Sequence, residues 1–498
     1  MPVSTQHKDY DRMLPKWKRC RDVADGQDAV HAATTTYLPK LNGQAPKDYE
    51  SYVKRATFYN ATWRTISGLV GMMLRQPPII EAPASVIELL KDVDMAGTPL
   101  QVFAQDVCEQ ALTVGRIGIL VDCPPITGPT ATLADAQAQN IRPTLQVYRA
   151  EDVLNWKTGR INNRTVLMQV TLKEIELVAK DEYESVEEDR WRVLDLRQRA
   201  AKVGDNTPSK PVYRQRLFKM KGGQANVKTL AFEQIGEDIF PRMNGQPMTF
   251  IPFQFLGSDD VTSDVDEPPL IDLVDLNLAH YRVSADYEHG CHFTGLPTLF
   301  LAGFKKEMDD AGNAKEVYIG SESAIVSSNP DASASYVEVN HDFEPLLKNL
   351  AAKEQQMAVL GARMLEPQKK APEAADSGSI RRKGEESMLS SVAQAISLGL
   401  TITLRWFTAF AGQAADGVKF ELNRDFYPMR MDGATLSSLV SAWQQGAISD
   451  QTLFENLQQG EIIAQDTTLE DEQARIAAKQ ADLLAQQAAY NTGQGVEV

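Results

Sequence analysis

Apolar residues return at helical spacing over much of this chain, and the stretches where they do not are where its strands and turns are expected. From Lys47, the residues Tyr52, Tyr59, Trp63, Ile66, Val70 and Met73 fall on one stripe ended by Pro77-Pro78, which predicts a single helix. Two more helices follow, broken at Gly97-Thr98-Pro99, and Gly115 closes the second. Residues 117–121 (IGILV) then read as a buried strand before Cys123-Pro124-Pro125. Near Ile141 the character changes. Residues 144–149, 164–178, 190–196, 212–220 and 248–256 alternate partially and are rich in Val, Thr, Tyr, Phe and Leu, with turn clusters such as GDNTPSKP and NGQP between them. They predict a β-rich module of about a hundred residues.

A long helix is predicted to follow. Pro268 and Pro269 occupy a first turn that tolerates missing N–H groups, with Asp264 or Asp266 as its cap. Leu270, Leu273, Val274, Asn277, Leu278 and Tyr281 make its packed stripe, while Asp272, Asp275, Arg282 and Asp286 mark a charged face. Gly290 is its expected stop, and residues 297–303 form an apolar run of strand length. From Glu344 the chain is again helical, with one stripe of Leu346, Leu350, Met357, Leu360 and Met364 and another of Met388, Val392, Ala395, Ile396, Gly399, Trp406 and Phe410. The C-terminal part shows a helix stopped at Gly446, a Ser449 cap, a short helix stopped at Gly460, and a last Ala- and Gln-rich helix over 469–489. Residues 1–46 are polar and end in a turn-rich segment. No internal repeat is visible.

Length and composition narrow the class. At 498 residues the chain exceeds one ordinary core, so two to four subdomains are expected, and 43% hydrophobic residues suffice to fill them. No apolar run approaches the ~18 residues of a membrane span and the N-terminus lacks a signal segment, so a soluble intracellular product without a membrane is expected. Cys20, Cys108, Cys123 and Cys291 are scattered without a CxxC pair, which predicts reduced, mostly buried thiols. A net charge of −16 disfavours wrapping nucleic acid, whose affinity comes from neutralised phosphates, and leaves open a surface that lets DNA slide past without gripping it.

Catalytic patterns are absent: no G-x-x-x-x-G-K-[ST], G-x-S-x-G or H-E-x-x-H occurs. His289, Cys291 and His292 are too close in sequence to converge on one metal without distant partners, and read as a packed helix end. The carboxylates Asp181-Glu182, Glu184, Glu187-Glu188-Asp189 and Asp259-Asp260 read either as solvated turns or as a two-metal nuclease site. Asp122, after the buried strand, reads as a turn former or as a catalytic acid. Lys369, Lys370, Arg381, Arg382 and Lys383 place five bases within fifteen residues of an acidic chain. They form a flexible surface loop or a mobile segment that offers cations to phosphates.

Several segments together resemble the portal proteins of tailed bacteriophages: YLPKLNGQAPKDYESYVKRATFYNATWRTISGLVGMMLRQPP, GRIGILVDCPP, PPLIDLVDLNLAHYRVSADYEHGCHFTGLPTLFLAGF and LLKNLAAKEQQMAVLGARML. The likeness spans roughly residues 37–460 and lies in the order of the segments, none of which is catalytic. It implies an α+β, mainly helical fold with portal-like wing, stem, clip and crown arranged in a cyclic ring. The implied division is 1–164 for the N-terminal wing and first stem part, 165–257 for the β-rich clip and 258–292 for the stem helix. Residues 293–410 would hold wing strands, a helix and the tunnel loop, and 411–498 the helical crown and tail. The resemblance makes Lys369, Lys370, Arg381, Arg382 and Lys383 the DNA-facing loop, with residues 335–345 as the other loop candidate. It makes Asp272, Asp275, Arg282 and Asp286 channel-lining or subunit-contact residues. The implied protein is not an enzyme and needs no cofactor or metal. It is a homo-oligomer, as a dodecameric ring, at the capsid vertex of the virion, assembled in the host cytoplasm. The implied partners are a terminase motor, major capsid and scaffolding proteins, a head-tail adaptor, and double-stranded DNA passing without sequence specificity during packaging and ejection. A metal-dependent nuclease, or a capsid or adaptor subunit, is the alternative.

Overall fold

The computed structural model describes residues 2–124, 141–198, 211–221, 232–295, 298–304, 329–337, 342–363, 387–424, 426, 433–460, 462–463 and 467–493. Helix accounts for 47% and strand for 25%, a mixed α+β content in which helix leads but a large sheet remains. The chain divides into two compact units, Met1–Val70 with Ile80–Phe420, and Gly71–Ile79 with Glu421–Val498.

The first unit opens with α1 (Lys8–Asp25), where no element is predicted. Tyr10, Met13, Trp17, Cys20 and Val23 return every three or four residues and are buried, but charged residues on the opposite face dilute the stripe. After α2 (Gln27–Ala32), the single helix expected from Lys47 is two, α3 (Pro46–Arg55) and α4 (Ala61–Met73). Asn60 starts the second by accepting the Trp63 amide at 2.9 Å, so Tyr59 and Trp63 leave the stripe and are 42% and 41% exposed. The short β1 (Ile79–Glu81) and α5 (Ala84–Leu89) lead to α6 (Leu100–Val114), which ends as expected at Gly115, with φ 73°. A Cβ at Gly115 would stand 2.8 Å from the Glu267 carbonyl oxygen, so both the left-handed backbone and the close approach require glycine.

The strands β2 (Arg116–Asp122) and β3 (Thr144–Arg149) are followed by β4 (Val153–Ile161), β5 (Arg164–Ala179), β6 (Ser185–Gln198), β7 (Pro211–Met220) and β8 (Phe232–Ile239). The two-residue β9 (Arg242–Met243) and β10 (Gln246–Pro247) precede β11 (Phe253–Gly257). Two sheets result. An antiparallel sheet of order β11-β2-β3 holds the buried IGILV strand at its centre, and β4 to β8 form an antiparallel meander in sequence order. The strands predicted at 144–149 and 248–256 therefore belong to the core sheet, while β4 and β8, which alternate weakly, complete the meander.

The helix predicted from Pro268 is α7 (Ile271–Gly295). The two acidic residues before it are engaged elsewhere: the Asp266 carboxylate accepts the Asp259 amide, and the Asp264 carbonyl accepts Arg116. Gly290 does not stop the helix; it lies against the Phe343 ring, where a Cβ would collide. The hairpin β12 (Thr298–Ala302) with β13 (Ser333–Val337) precedes α8 (Glu344–Arg363) and α9 (Met388–Phe410). Contrary to the expectation from apolar run length, α9 is long and apolar enough to cross a membrane. Its residues are mostly buried against α6 and the core sheet, and a Cβ at Gly399 would stand 2.5 Å from Leu256 Cγ.

In the second unit, α10 (Gly433–Gln444), α11 (Asp450–Gln459) and α12 (Leu469–Gly493) follow one another. Ser449 caps α11 through the Thr452 amide and Gly446 takes φ 73° behind α10, both as predicted. Trp443 Nε1 donates to Asp450 Oδ1 at 2.6 Å, which fixes the turn between these helices.

Candidate interaction surface of the long helix

The buried stripe of α7 sets the direction of its charged face. Asn277, fully buried, accepts the Thr62 amide at 3.1 Å and the Thr62 hydroxyl at 3.0 Å through Oδ1, and donates through Nδ2 to the Tyr59 carbonyl at 2.7 Å. One side chain thus satisfies the backbone at the start of α4. His280, three residues on, is buried against Tyr59, and its Nε2 lies 3.4 Å from Glu354 of α8. Burial lowers its pKa below the ordinary histidine value, although Glu354 opposes that shift. Tyr281 packs between His31 and Phe58, and burial pushes its phenol up to about 12.

On the opposite side the four charged candidates separate into two kinds. Asp275 Oδ1 lies 3.0 Å from Arg19 Nε of α1, and Asp286 accepts the Tyr52 hydroxyl of α3 at 2.6 Å. Burial and the Asp286 carboxylate together raise the Tyr52 pKa. These two residues therefore hold the N-terminal helices of their own chain. All four are exposed, and Asp272 and Arg282 make no ion pair among the described residues. Arg282 and Asp275 line a cleft of about 470 Å³ with Lys18, Arg19, Asp22 and Tyr37, whose hydroxyl donates to Asp22 at 2.7 Å. This cleft and the exposed face beside it present charges of both signs.

The other predicted sites are placed elsewhere. Lys369, Lys370, Arg381, Arg382 and Lys383 lie outside the described residues. His289 meets the edges of Tyr52 and Phe293 at 4.9 Å and 4.6 Å, and among the described residues no group of three or more His, Cys, Asp or Glu could hold a metal ion. Asp181 accepts the Tyr183 and Glu184 amides at the tip of the β5–β6 hairpin, and Asp260 accepts the Thr262 amide. Both are turn formers.

Asp122 has a role that neither sequence reading contained. Its Oδ1 accepts Gln215 Nε2 at 2.9 Å and its Oδ2 lies 3.4 Å from Arg192 Nη1. Arg192 Nε donates to Glu174 at 2.6 Å, and Tyr148 donates to the same carboxylate at 2.5 Å. Burial and the neighbouring carboxylates hold Tyr148 and Tyr213 protonated, while the carboxylates keep Arg192 charged in spite of its burial. This knot joins the end of the core sheet to the face of the meander. A second buried cation, Arg116, lies 4.5 Å from the Trp156 ring centre and 4.2 Å from that of Phe255. It donates to the Ser263 and Asp264 carbonyls, which anchors the loop before α7. No local pattern betrays either feature, because the partners come from distant strands.

A family model described as a domain of unknown function, DUF4055, matches residues 269–411, from the start of α7 to the end of α9. No curated protein matches the chain. Among solved structures, the chain is similar to one in the virion of a native gene transfer agent particle, at 13% identity and a TM-score of 0.33, covering 84% of this chain and 94% of that one. It is similar to a chain in the neck of the empty particle computed with C6 symmetry, at 13% identity, a TM-score of 0.34 and coverages of 84% and 93%. A third, from the neck of the native particle computed with C12 symmetry, shows 13% identity, a TM-score of 0.36 and coverages of 83% and 94%. Likenesses this weak assign neither a fold nor a role to this chain.

Proposed function

We propose that this chain is a structural subunit of a virus particle that assembles into a closed ring. More particularly, it is the portal subunit of a tailed bacteriophage, through whose ring double-stranded DNA is packaged and ejected. The observation that carries this reading is the order of the segments that resemble portal proteins, with the meander β4 to β8 preceding the 25-residue α7 and the core-sheet strand β11 between them. In this reading residues 165–257, which hold most of the meander, are the clip and α7 is the stem strut. Asp272 and Arg282 lie toward the channel or a neighbouring subunit, and the bases at 369–383 face DNA. A net charge of −16 suits the task, since a passing duplex must be centred without being held.

Electron microscopy and light scattering of the purified chain test the reading. The expected result is a ring with a central hole; a 55.1 kDa monomer without rings would overturn it. Replacing Lys369, Lys370, Arg381, Arg382 and Lys383 by Ala is expected to change packaging or genome retention while assembly persists. Unchanged packaging would remove this loop from the mechanism.

A further inference from the structure

Two hairpins of the meander carry opposite charge. At one end β5 and β6 outrun their neighbours: β4 pairs with β5 no further than Leu172, and β7 with β6 no further than Arg190. Their own pairing continues to Ala179 and Ser185, which leaves a two-stranded ribbon closed by the turn at Tyr183. Such a ribbon is marginal in water by itself. It nevertheless presents Ile175, Leu177 and Tyr183 at 61%, 69% and 91% exposure. From Lys173 to Arg190 the sequence holds eight acidic residues and three basic ones. Lys173 pairs with Asp189, Lys180 with Glu184, Arg190 with Glu176 and Arg192 with Glu174, so Asp181, Glu182, Glu187 and Glu188 have no ion pair among the described residues.

At the other end of the same strand, the β4–β5 hairpin turns at Asn162 and Asn163, whose φ angles are 49° and 62°. Its sequence KTGRINNR contains Lys157, Arg160 and Arg164 and no acid. All three are exposed and without an ion pair among the described residues. The sixteen residues of β5 separate the two ends by about 50 Å at roughly 3.3 Å per residue.

We propose that copies of this chain dock head to tail through these ends, the acidic, apolar-studded ribbon of one on the basic hairpin of the next. The occupant is a second copy because, among the described residues, the ribbon's unpaired carboxylates find their complement in the three unpaired cations of the hairpin, on a separate surface of the same chain. Like ends repel and unlike ends attract, so the contact is heterologous, the kind that closes into a ring when the rotation per subunit is right. The ribbon's charge excludes nucleic acid as its occupant. The proposal deepens the ring reading above and rests on it.

The experiment uses the full chain in four forms, by light scattering and electron microscopy: wild type, Glu182→Lys/Glu187→Lys/Glu188→Lys, Lys157→Glu/Arg160→Glu/Arg164→Glu, and all six substitutions together. All sites are exposed, so far-UV circular dichroism should be unchanged. Each three-site variant is expected to lose at least about tenfold in assembly affinity. Assembly should return in the six-site variant, and also when the two three-site variants are mixed. A monomeric wild type would overturn the ring reading together with this contact. Assembly in every variant would overturn this contact alone, as would monomeric three-site variants that neither mixing nor combination rescues. If the hairpin variant assembles normally and loses only DNA retention, the hairpin serves phosphates and the docking proposal is wrong.

Discussion

Replacing Asn277 by Ala isolates the clamp between α7 and α4. Both Asn277 and Thr62 are 0% exposed, and three hydrogen bonds of 2.7, 3.0 and 3.1 Å end on the Asn277 side chain. The Thr62 amide lies in the first turn of α4, where no helical carbonyl can receive it. The variant leaves this amide buried and unpaired, while the Tyr59 carbonyl keeps the Ala61 amide at 2.9 Å and the Thr62 hydroxyl can rotate to another acceptor. One unsatisfied buried amide costs about 1–3 kcal/mol. At about 1.4 kcal/mol per factor of ten, amide exchange at the start of α4 should accelerate roughly 5- to 150-fold if this segment opens locally. Hydrogen exchange read by mass spectrometry on peptides spanning residues 59–70 measures it directly. Thr62→Val keeps the amide and removes only the hydroxyl, so about 1 kcal/mol and less than about tenfold acceleration are expected. Protection in Asn277→Ala within about threefold of wild type would refute the reasoning, because the clamp would then carry no share of local stability.

Arg192→Met leaves the Glu174 and Asp122 carboxylates without their shared cation, so a loss of about 3 kcal/mol is expected in urea unfolding; Arg192→Lys should recover only part of it, since an ammonium lacks the planar fork. An unchanged midpoint in Arg192→Met would count against the knot. Gly115→Ala forces a side chain into φ 73° beside the Glu267 carbonyl and should cost at least about 1–2 kcal/mol in a thermal scan. For His280, the folded state lowers the pKa and so favours the neutral ring, and the unfolded chain binds more protons in the window between the two values. Its contribution is full above about pH 6.5 and is lost as pH falls through the folded value. Wild type should therefore lose more stability than His280→Gln between pH 7.5 and 5, and equal pH slopes would remove His280 as a cause.

Elements that satisfy themselves locally were legible. The stripe of α7, including its polar member Asn277, the stop at Gly115, the Ser449 cap and the buried strand 117–121 all follow from contacts within a few residues. The misreadings have physical causes. A stripe that continues in register across Ala56 to Asn60 hides a break, because periodicity does not register a cap inside it. Gly290 reads as a stop, since a glycine required by an approaching Phe343 ring looks the same in sequence as one required by a turn. The candidate surface was legible as a charged face, but not in its division between Asp275 and Asp286, tied to α1 and α3, and Asp272 and Arg282, which make no ion pair among the described residues.

By itself, then, the sequence determined where helices and strands form and which face of each is apolar, because those depend on periods of a few residues. Only the tertiary structure decided what the polar residues do. Asp122 finds its partners 70 and 93 positions away, and Asn277 finds its own 215 and 218 away. A buried charge or amide is stable only when distant strands and helices bring it a partner, and no local pattern carries that information.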